Sequence, residues 1–355
     1  MKGKLFPGVL MALSLLMAGC GEKVEKYGAL DAAVVPGADL TVHVDYDSIR
    51  KSPAGIAVLR YGDNGATGVA GEKSEGELQL EKATGLTRES LVALSFSGDL
   101  DELDPDSAAR DGDLGGLRAA TALLFDRALT EKQVEAGLKV LLNDSDGAVV
   151  SGLLIEGRRT FTLSRPGDEP DTLYVALSKD GRAVFLAPNS VSISELFTRE
   201  ESQERSDLPP ALESLRGEMG NDVQFRSAFV MPAALRGTLD TKIADLEKGG
   251  AGNPGIGMVL GLAAPFRGLT GLTMGARFTE KIDFSLAADL GGESDALQAA
   301  ALLQTMVLPV IGARLFQVMG VPAGGADRLT AVSEGNRLIV RAKLEAADLT
   351  SIPPL

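Results

Sequence analysis

Alternation of apolar and polar residues predicts most of the strands in this chain. It is clearest over 39–46, where every second residue is apolar, the period of a strand with one buried face. The first half has further predicted strands at 90–98, 117–125, 160–163, 173–177 and 182–187. The second half has predicted strands at 223–230, 269–278, 282–290, 328–333 and 337–344.

Helices are predicted where apolar residues recur every three or four positions behind a capping residue. Thr130 and Gln133 form a capping box in front of such a pattern, which continues to Leu142. The other predicted helices begin behind Ser52, at residue 233 and near Asp295.

The order of these elements is similar in the two parts of the chain. Each part reads as strand, helix, two strands, helix, two strands, and the charged segment 199–207 with the following prolines separates them. We expect an α+β fold of two similar halves, 31–205 and 206–355, mainly antiparallel sheet packed on helices, produced by duplication. The alternative is two unrelated domains in which helices and strands alternate in the ordinary way.

One segment, 296–313, has eighteen residues without a charge, the length at which a membrane span is considered. Two glutamines and Pro309 lie within it, and strand patterns follow, so we expect a helix buried between a sheet and its neighbour. As an alternative, this helix as far as Phe316, with the apolar segment 256–266, lines a pocket for a lipid or other apolar ligand.

The first residues have the layout of an export signal. Lys2 and Lys4 precede an uncharged apolar run that is too short to span a membrane comfortably. The run ends in Leu-Met-Ala-Gly-Cys at 16–20, which resembles the lipobox of bacterial lipoprotein precursors, with Met17 where that family usually has leucine.

The resemblance implies that a signal peptide, 1–19, is removed and that Cys20 carries acyl chains at the start of a tether, 20–30. Cys20 is the only cysteine, so no intrachain disulfide can form. The implied location is the cell envelope outside the cytoplasm. Gly21, where an aspartate would imply retention in the inner membrane, favours the outer membrane.

Charge limits the partners. The chain carries a net charge of −14, and loss of Lys2 and Lys4 with the signal peptide makes it −16. This acidity disfavours nucleic acid and repels anionic lipid, which leaves the acyl anchor as the membrane attachment. The chain has no tryptophan and only four tyrosines, which disfavours a site that stacks aromatic rings on sugars.

The residue types needed for most catalytic centres are scarce. With one histidine and one cysteine, the chain offers no Cys-rich zinc site, paired-histidine metal site or Cys–His dyad, and it lacks a Gly-x-Ser-x-Gly elbow. His43, Asp45 and Asp47 would share one strand face and could hold a cation or act as a base, although strand alternation alone predicts polar residues there and we expect a solvated face.

Two other patterns are weak indications of a ligand. Asp99, Asp101, Asp104 and Asp106 could offer oxygens to calcium, but their spacing does not match an EF-hand and we expect a solvated loop. Three glycines resemble a dinucleotide fingerprint but lack the preceding strand, so we expect a connection there. Those glycines are Gly255, Gly257 and Gly261.

We therefore expect no metal and no cofactor. The sequence favours a non-catalytic binding or scaffold protein, anchored by lipid, with possible protein partners in the envelope. One alternative is a carrier or chaperone for lipid or another apolar ligand, and the other is a hydrolase that uses His43.

Overall fold

The computed structural model describes residues 28–59, 75–100, 118–142, 149–164, 172–202, 209–218, 223–249, 263–309 and 328–345. The chain forms two compact units. The first comprises Met1–Lys51 and Gly62–Pro209, and the second comprises Ser52–Tyr61 and Pro210–Leu355. The expected signal peptide and most of the tether lie outside the described residues.

The first unit contains a seven-stranded antiparallel sheet within the described part of the chain. Its order is β1-β2-β3-β7-β6-β5-β4, so β4 is the last strand. The strands are β1 (Leu40–Asp45), β2 (Leu91–Asp99), β3 (Arg118–Phe125), β4 (Val149–Ile155), β5 (Arg158–Ser164), β6 (Thr172–Leu177) and β7 (Ala183–Ala187).

Five described helices accompany this sheet. They are α1 (Gly28–Ala32), α2 (Tyr46–Arg50), α3 (Glu75–Thr84), α4 (Glu131–Leu142) and α5 (Ser190–Ser202). The predicted capping box of α4 is confirmed, because Thr130 N donates to Gln133 Oε1 at 2.9 Å and Gln133 N donates to Thr130 Oγ1 at 3.3 Å.

The core of the first unit lies beneath α4. Val134, Leu138 and Leu142 of this helix pack with Phe125 and Phe161 of the sheet in one buried cluster. The α3 helix can approach α4 closely because position 137 is glycine. A Cβ there would lie 2.9 Å from Thr84 Cγ2, which no ordinary contact allows.

The second unit contains a five-stranded antiparallel sheet in the order β8-β9-β10-β12-β11, counted over its described residues. The strands are β8 (Phe225–Val230), β9 (Gly271–Phe278), β10 (Lys281–Asp289), β11 (Leu329–Glu334) and β12 (Arg337–Glu345). The helices include α6 (Pro210–Glu218), α7 (Ala233–Gly249) and α8 (Glu293–Leu302), which continues into a π-helical turn, Leu303–Val307. Residues 53–59 of this unit are also helical, as predicted behind Ser52.

The prediction that the uncharged segment 296–313 forms a helix buried on all sides is wrong for the part of it that lies in α8. Ala296, Ala299 and Ala300 are buried where α8 packs on β11 and β12. On the opposite face, Leu297 remains 62% exposed. The fully packed face of α8 is thus made of small residues, and Leu303 and Leu308 beyond its end are partly buried against the same cluster. None of the described helices is long and apolar enough to cross a membrane.

The expected α+β class with antiparallel sheet is confirmed. The predicted strands are found with small changes at their ends, but the predicted plan of the first half is incomplete. Four strands follow α4, whereas three were predicted there individually and two in the shared plan. The pattern did not predict β4 or the helices α1, α2, α3, α5 and α6.

Candidate binding surface

The polar residues near His43 do not share one strand face. β1 ends at Asp45, whose carboxylate caps α2 by accepting from Ser48 N at 3.0 Å and from Ser48 Oγ at 2.7 Å. Asp47 belongs to α2 and pairs with Lys51 at 2.7 Å. The expected trio is therefore wrong for Asp47, because the chain turns into a helix after Asp45.

The register of the sheet places Ser95 of β2 directly opposite His43 of β1. Ser95 is buried and His43 is half-buried. Sequence reasoning missed Ser95 because a single sequence does not show which residues of distant strands lie opposite each other. A hydrolase could use this pair of residues.

Of the acidic loop proposed as a weak cation site, only Asp99 lies within the described residues. Asp99 Oδ2 pairs with Arg118 Nη1 at 3.6 Å, and Arg118 Nη2 pairs with Glu195 at 3.0 Å. A cationic side chain therefore already lies beside Asp99. Across the described ranges, no group of three or more potential ligand side chains could hold a metal.

The remaining candidates fall outside the part of the chain that the structure describes. They are Cys20, Asp101, Asp104, Asp106, Gly255, Gly257, Gly261 and the segments 256–262 and 310–316.

An apolar cavity of about 60 Å³ lies in the first unit between α3, α4 and the sheet. Leu80, Leu138 and Val175 are among its lining residues. The polar groups at its wall bond one another: Gln133 Nε2 donates to Thr84 O at 2.7 Å, and Thr84 Oγ1 donates to Leu80 O at 2.7 Å. The cavity therefore offers no unsatisfied polar group to a ligand.

The edge of the same sheet presents a different kind of surface. β4 pairs with β5 through seven consecutive residue pairs, and among the described strands β4 is the terminal one. All seven β4 residues are uncharged. Leu153 is 37% and Leu154 is 72% exposed, which leaves apolar side chains on both faces of the strand at the edge.

A tight hairpin turn fixes the position of β4. Glu156 and Gly157 connect β4 to β5 with φ values of 51° and 78°, the two left-handed conformations of a type I′ turn. Glutamate rarely adopts this conformation. Its carboxylate accepts a hydrogen bond from Ser194 Oγ on α5, which holds the turn against the helix.

Arg158 of β5 anchors the hairpin to α5 on one face of the sheet. Its Nη1 donates to Glu200 Oε2 at 2.7 Å, and its guanidinium lies 3.8 Å from the ring centroid of Phe197.

Arg159 anchors the other face. Its Nη2 donates to Glu135 Oε2 of α4 at 3.0 Å, and a Cβ added at Gly152 would lie 3.7 Å from Arg159 Nε. Lys139 lowers the pKa of the Glu135 carboxyl by donating a hydrogen bond to it and by its positive charge. The charge of Arg159 lowers this pKa further. The charged residues of β5 are thus bonded to helices, and β4 itself keeps a neutral edge.

Comparison of the chain with protein-family models, curated proteins and solved structures gives no match.

Proposed function

We propose that the protein is a lipid-anchored, non-catalytic binding or scaffold protein of the cell envelope, which docks its partner by strand addition at β4. The observation that carries this proposal is the exposed, uncharged edge of the first unit's sheet. A strand added to such an edge gains backbone hydrogen bonds, and the alternating side chains supply specificity.

Proteins usually protect a terminal strand from pairing with charges, proline or bulges. β4 has no charged residue and no proline, and its register with β5 is unbroken. The terminal strand of the second unit differs, because β11 includes Glu334, which pairs with Arg341 at 3.0 Å. An edge without these protective features is suited to a partner.

The membrane attachment follows from the resemblance of residues 16–20 to a lipobox. Intact mass spectrometry of the protein extracted from its native membrane tests this part. We expect a chain that begins at Cys20 and carries the added mass of a diacylglyceryl group. A chain that retains residues 1–19 and carries no lipid would contradict the anchor.

Photo-crosslinking in cells tests the docking surface. A photoreactive amino acid at Leu154 should give a discrete crosslinked product. The same amino acid at Leu78, a 53% exposed leucine of α3, is the matched control and should give none. If positions 154 and 78 crosslink equally, β4 is not a specific docking surface.

The carrier alternative has the apolar cavity under α4 in its favour. At about 60 Å³, this cavity is less than half of the roughly 150 Å³ that accommodates benzene in an engineered protein core. A lipid acyl chain would need α4 to move away from the sheet. Lipid extraction of the purified chain should therefore yield no stoichiometric lipid, and a bound lipid would favour the carrier.

The hydrolase alternative has the pairing of His43 with Ser95 in its favour. A reactive serine would be labelled by a fluorophosphonate probe, and Ser95→Ala would abolish that label. We expect no labelling of the unmodified protein. Labelling that depends on both His43 and Ser95 would replace the binding proposal with a hydrolase.

We further infer that the two sheets descend from one duplicated unit. Support comes from the strand orders. Without the β4–β5 hairpin, the first unit has the order β1-β2-β3-β7-β6, and the second unit has the order β8-β9-β10-β12-β11. In both units the strand that comes fifth along the chain lies beside the third, and the fourth lies at the outer end. On this alignment the β4–β5 hairpin has no counterpart in the second unit. The proposed docking strand is then an addition specific to the first unit.

A further inference from the structure

We propose that the partner of β4 is a second copy of this chain, joined by antiparallel β4–β4 pairing about a two-fold axis at Gly152. The inference rests on the proposed docking role of β4 and names its occupant. Such a pair is isologous, because each copy uses the same strand and the same register.

The composition of β4 selects this register. Val149–Ile155 has Gly152 at its centre, so an axis at Gly152 pairs every neutral residue with another neutral residue. Val150 then lies opposite the partner's Leu154, and the 72% exposed Leu154 side chain gains an apolar neighbour. Moving the axis to Leu153 would place the charged Glu156 opposite Val150, and moving it to Ser151 would leave Leu154 and Ile155 without β4 residues opposite them.

Charge favours self-pairing at this strand over other parts of the surface. Two copies that each carry a charge of −14, or −16 after loss of the signal peptide, repel wherever acidic residues meet. The seven β4 residues bring no like charges together. Glycine at the axis also avoids a steric conflict between two identical side chains where the copies meet.

The strength of the association depends on the anchor. A seven-residue strand is about 23 Å long. Pairing along one such strand makes a narrow interface, whereas stable complexes bury roughly 1,200–2,000 Å² of surface. We therefore expect weak dimers in dilute solution. Attachment to one membrane raises the effective concentration and favours pairing without any new contact.

Disulfide trapping in the chain from Gly21 onward tests the pairing without the anchor. This chain retains every described residue and has no cysteine, because Cys20 is the only one. Across an antiparallel pair, opposite Cα atoms are about 4.5–5.5 Å apart, within the range of a disulfide. Gly152→Cys should therefore form a disulfide-linked dimer at high protein concentration under mild oxidation.

Leu154→Cys is the matched control on the same strand. In the proposed register its two copies lie about 13 Å apart along the strands, beyond disulfide range. We expect about tenfold less dimer from Leu154→Cys than from Gly152→Cys. A mixture of Val150→Cys and Leu154→Cys chains should crosslink to each other, because these positions lie opposite.

Each result decides the inference. Efficient Gly152→Cys dimers with little Leu154→Cys dimer support the two-fold pairing. Equal crosslinking at both positions, or none at Gly152, overturns it. If photo-crosslinking at Leu154 in cells still gives a product with a different protein, the docking role of β4 stands and only the second copy is excluded. If neither experiment gives a product, both proposals fail.

Discussion

The two units fill their cores with side chains of different size. In the first, α4 places Val134 and Leu138 over Phe161, which is fully buried. In the second, α8 places three buried alanines against its sheet, where Leu290 and Leu338 are the largest fully buried side chains of the cluster. Small residues allow a helix to approach a sheet closely but bury less apolar area, so the first unit gains more hydrophobic stabilisation per helix.

The same difference explains how the two helices expose apolar residues. The large apolar residues of α4 lie on its packed face. The packed face of α8 consists of alanines, whereas Leu297 of α8 and Met306 of the following π-helical turn are 62% and 50% exposed. A long uncharged segment is therefore not necessarily buried on all sides.

The largest predicted effect is the loss of an aromatic side chain from the first core. Phe161→Ala removes a ring that is 1% exposed, and such truncations lower the free energy of unfolding by about 3–5 kcal/mol. Leu338→Ala, the matching truncation in the second unit, should cost less, within the range of about 2–5 kcal/mol. Urea unfolding of both variants measures these free energies.

Val332→Ala provides the control for these truncations. Val332 lies on β11 and is 37% exposed, so its truncation should change the free energy of unfolding by less than about 0.5 kcal/mol. If Leu338→Ala costs as much as Phe161→Ala, the two cores do not differ in the way described.

The second prediction concerns the alanine face of α8. Ala299 is fully buried, and Ala299→Leu forces a larger side chain between helix and sheet, at a cost of about 1–3 kcal/mol. Ala301→Leu makes the same change at an exposed position of the same helix and should be nearly neutral. Thermal unfolding of the two variants compares them, and equal losses would show that the alanine face is not tightly packed.

Sequence patterns predicted those elements whose signal is local. The capping box at Thr130 and the apolar face behind it suffice for α4, and alternation suffices for β1. β4 was missed because Val149–Ile155 is apolar almost throughout and shows no alternation, since both of its faces carry apolar residues. Which face of α8 packs depends on the strands it meets, and its sequence alone does not contain that information.

The candidate site was less predictable than the fold. Exposure of β4 depends on its position at the end of the sheet, which is fixed by strand order and not by its own composition. The neighbour of His43 depends likewise on the register between β1 and β2. Sequence analysis identified His43 as the sole imidazole but could not place Ser95 opposite it.

The smallest predicted effect is a pH dependence located in the first unit. Tyr46 is buried in the first core, and burial raises the pKa of its phenol above the ordinary value, partly opposed by the charge of Arg50. The unfolded chain releases this proton at lower pH than the folded chain does. The stability that the neutral phenol provides is therefore present below about pH 10 and is lost as pH rises through the folded pKa.

Tyr46→Phe removes the titrating group and retains the ring. The free energy of unfolding, measured in urea between about pH 8 and about pH 11, should fall more steeply for the unmodified protein than for Tyr46→Phe. Lysines titrate in the same range, so the difference between the two curves, and not either curve alone, reports Tyr46. Parallel curves would mean that water reaches the phenol, and hence that the core of the first unit is packed less tightly around α2 than around α4.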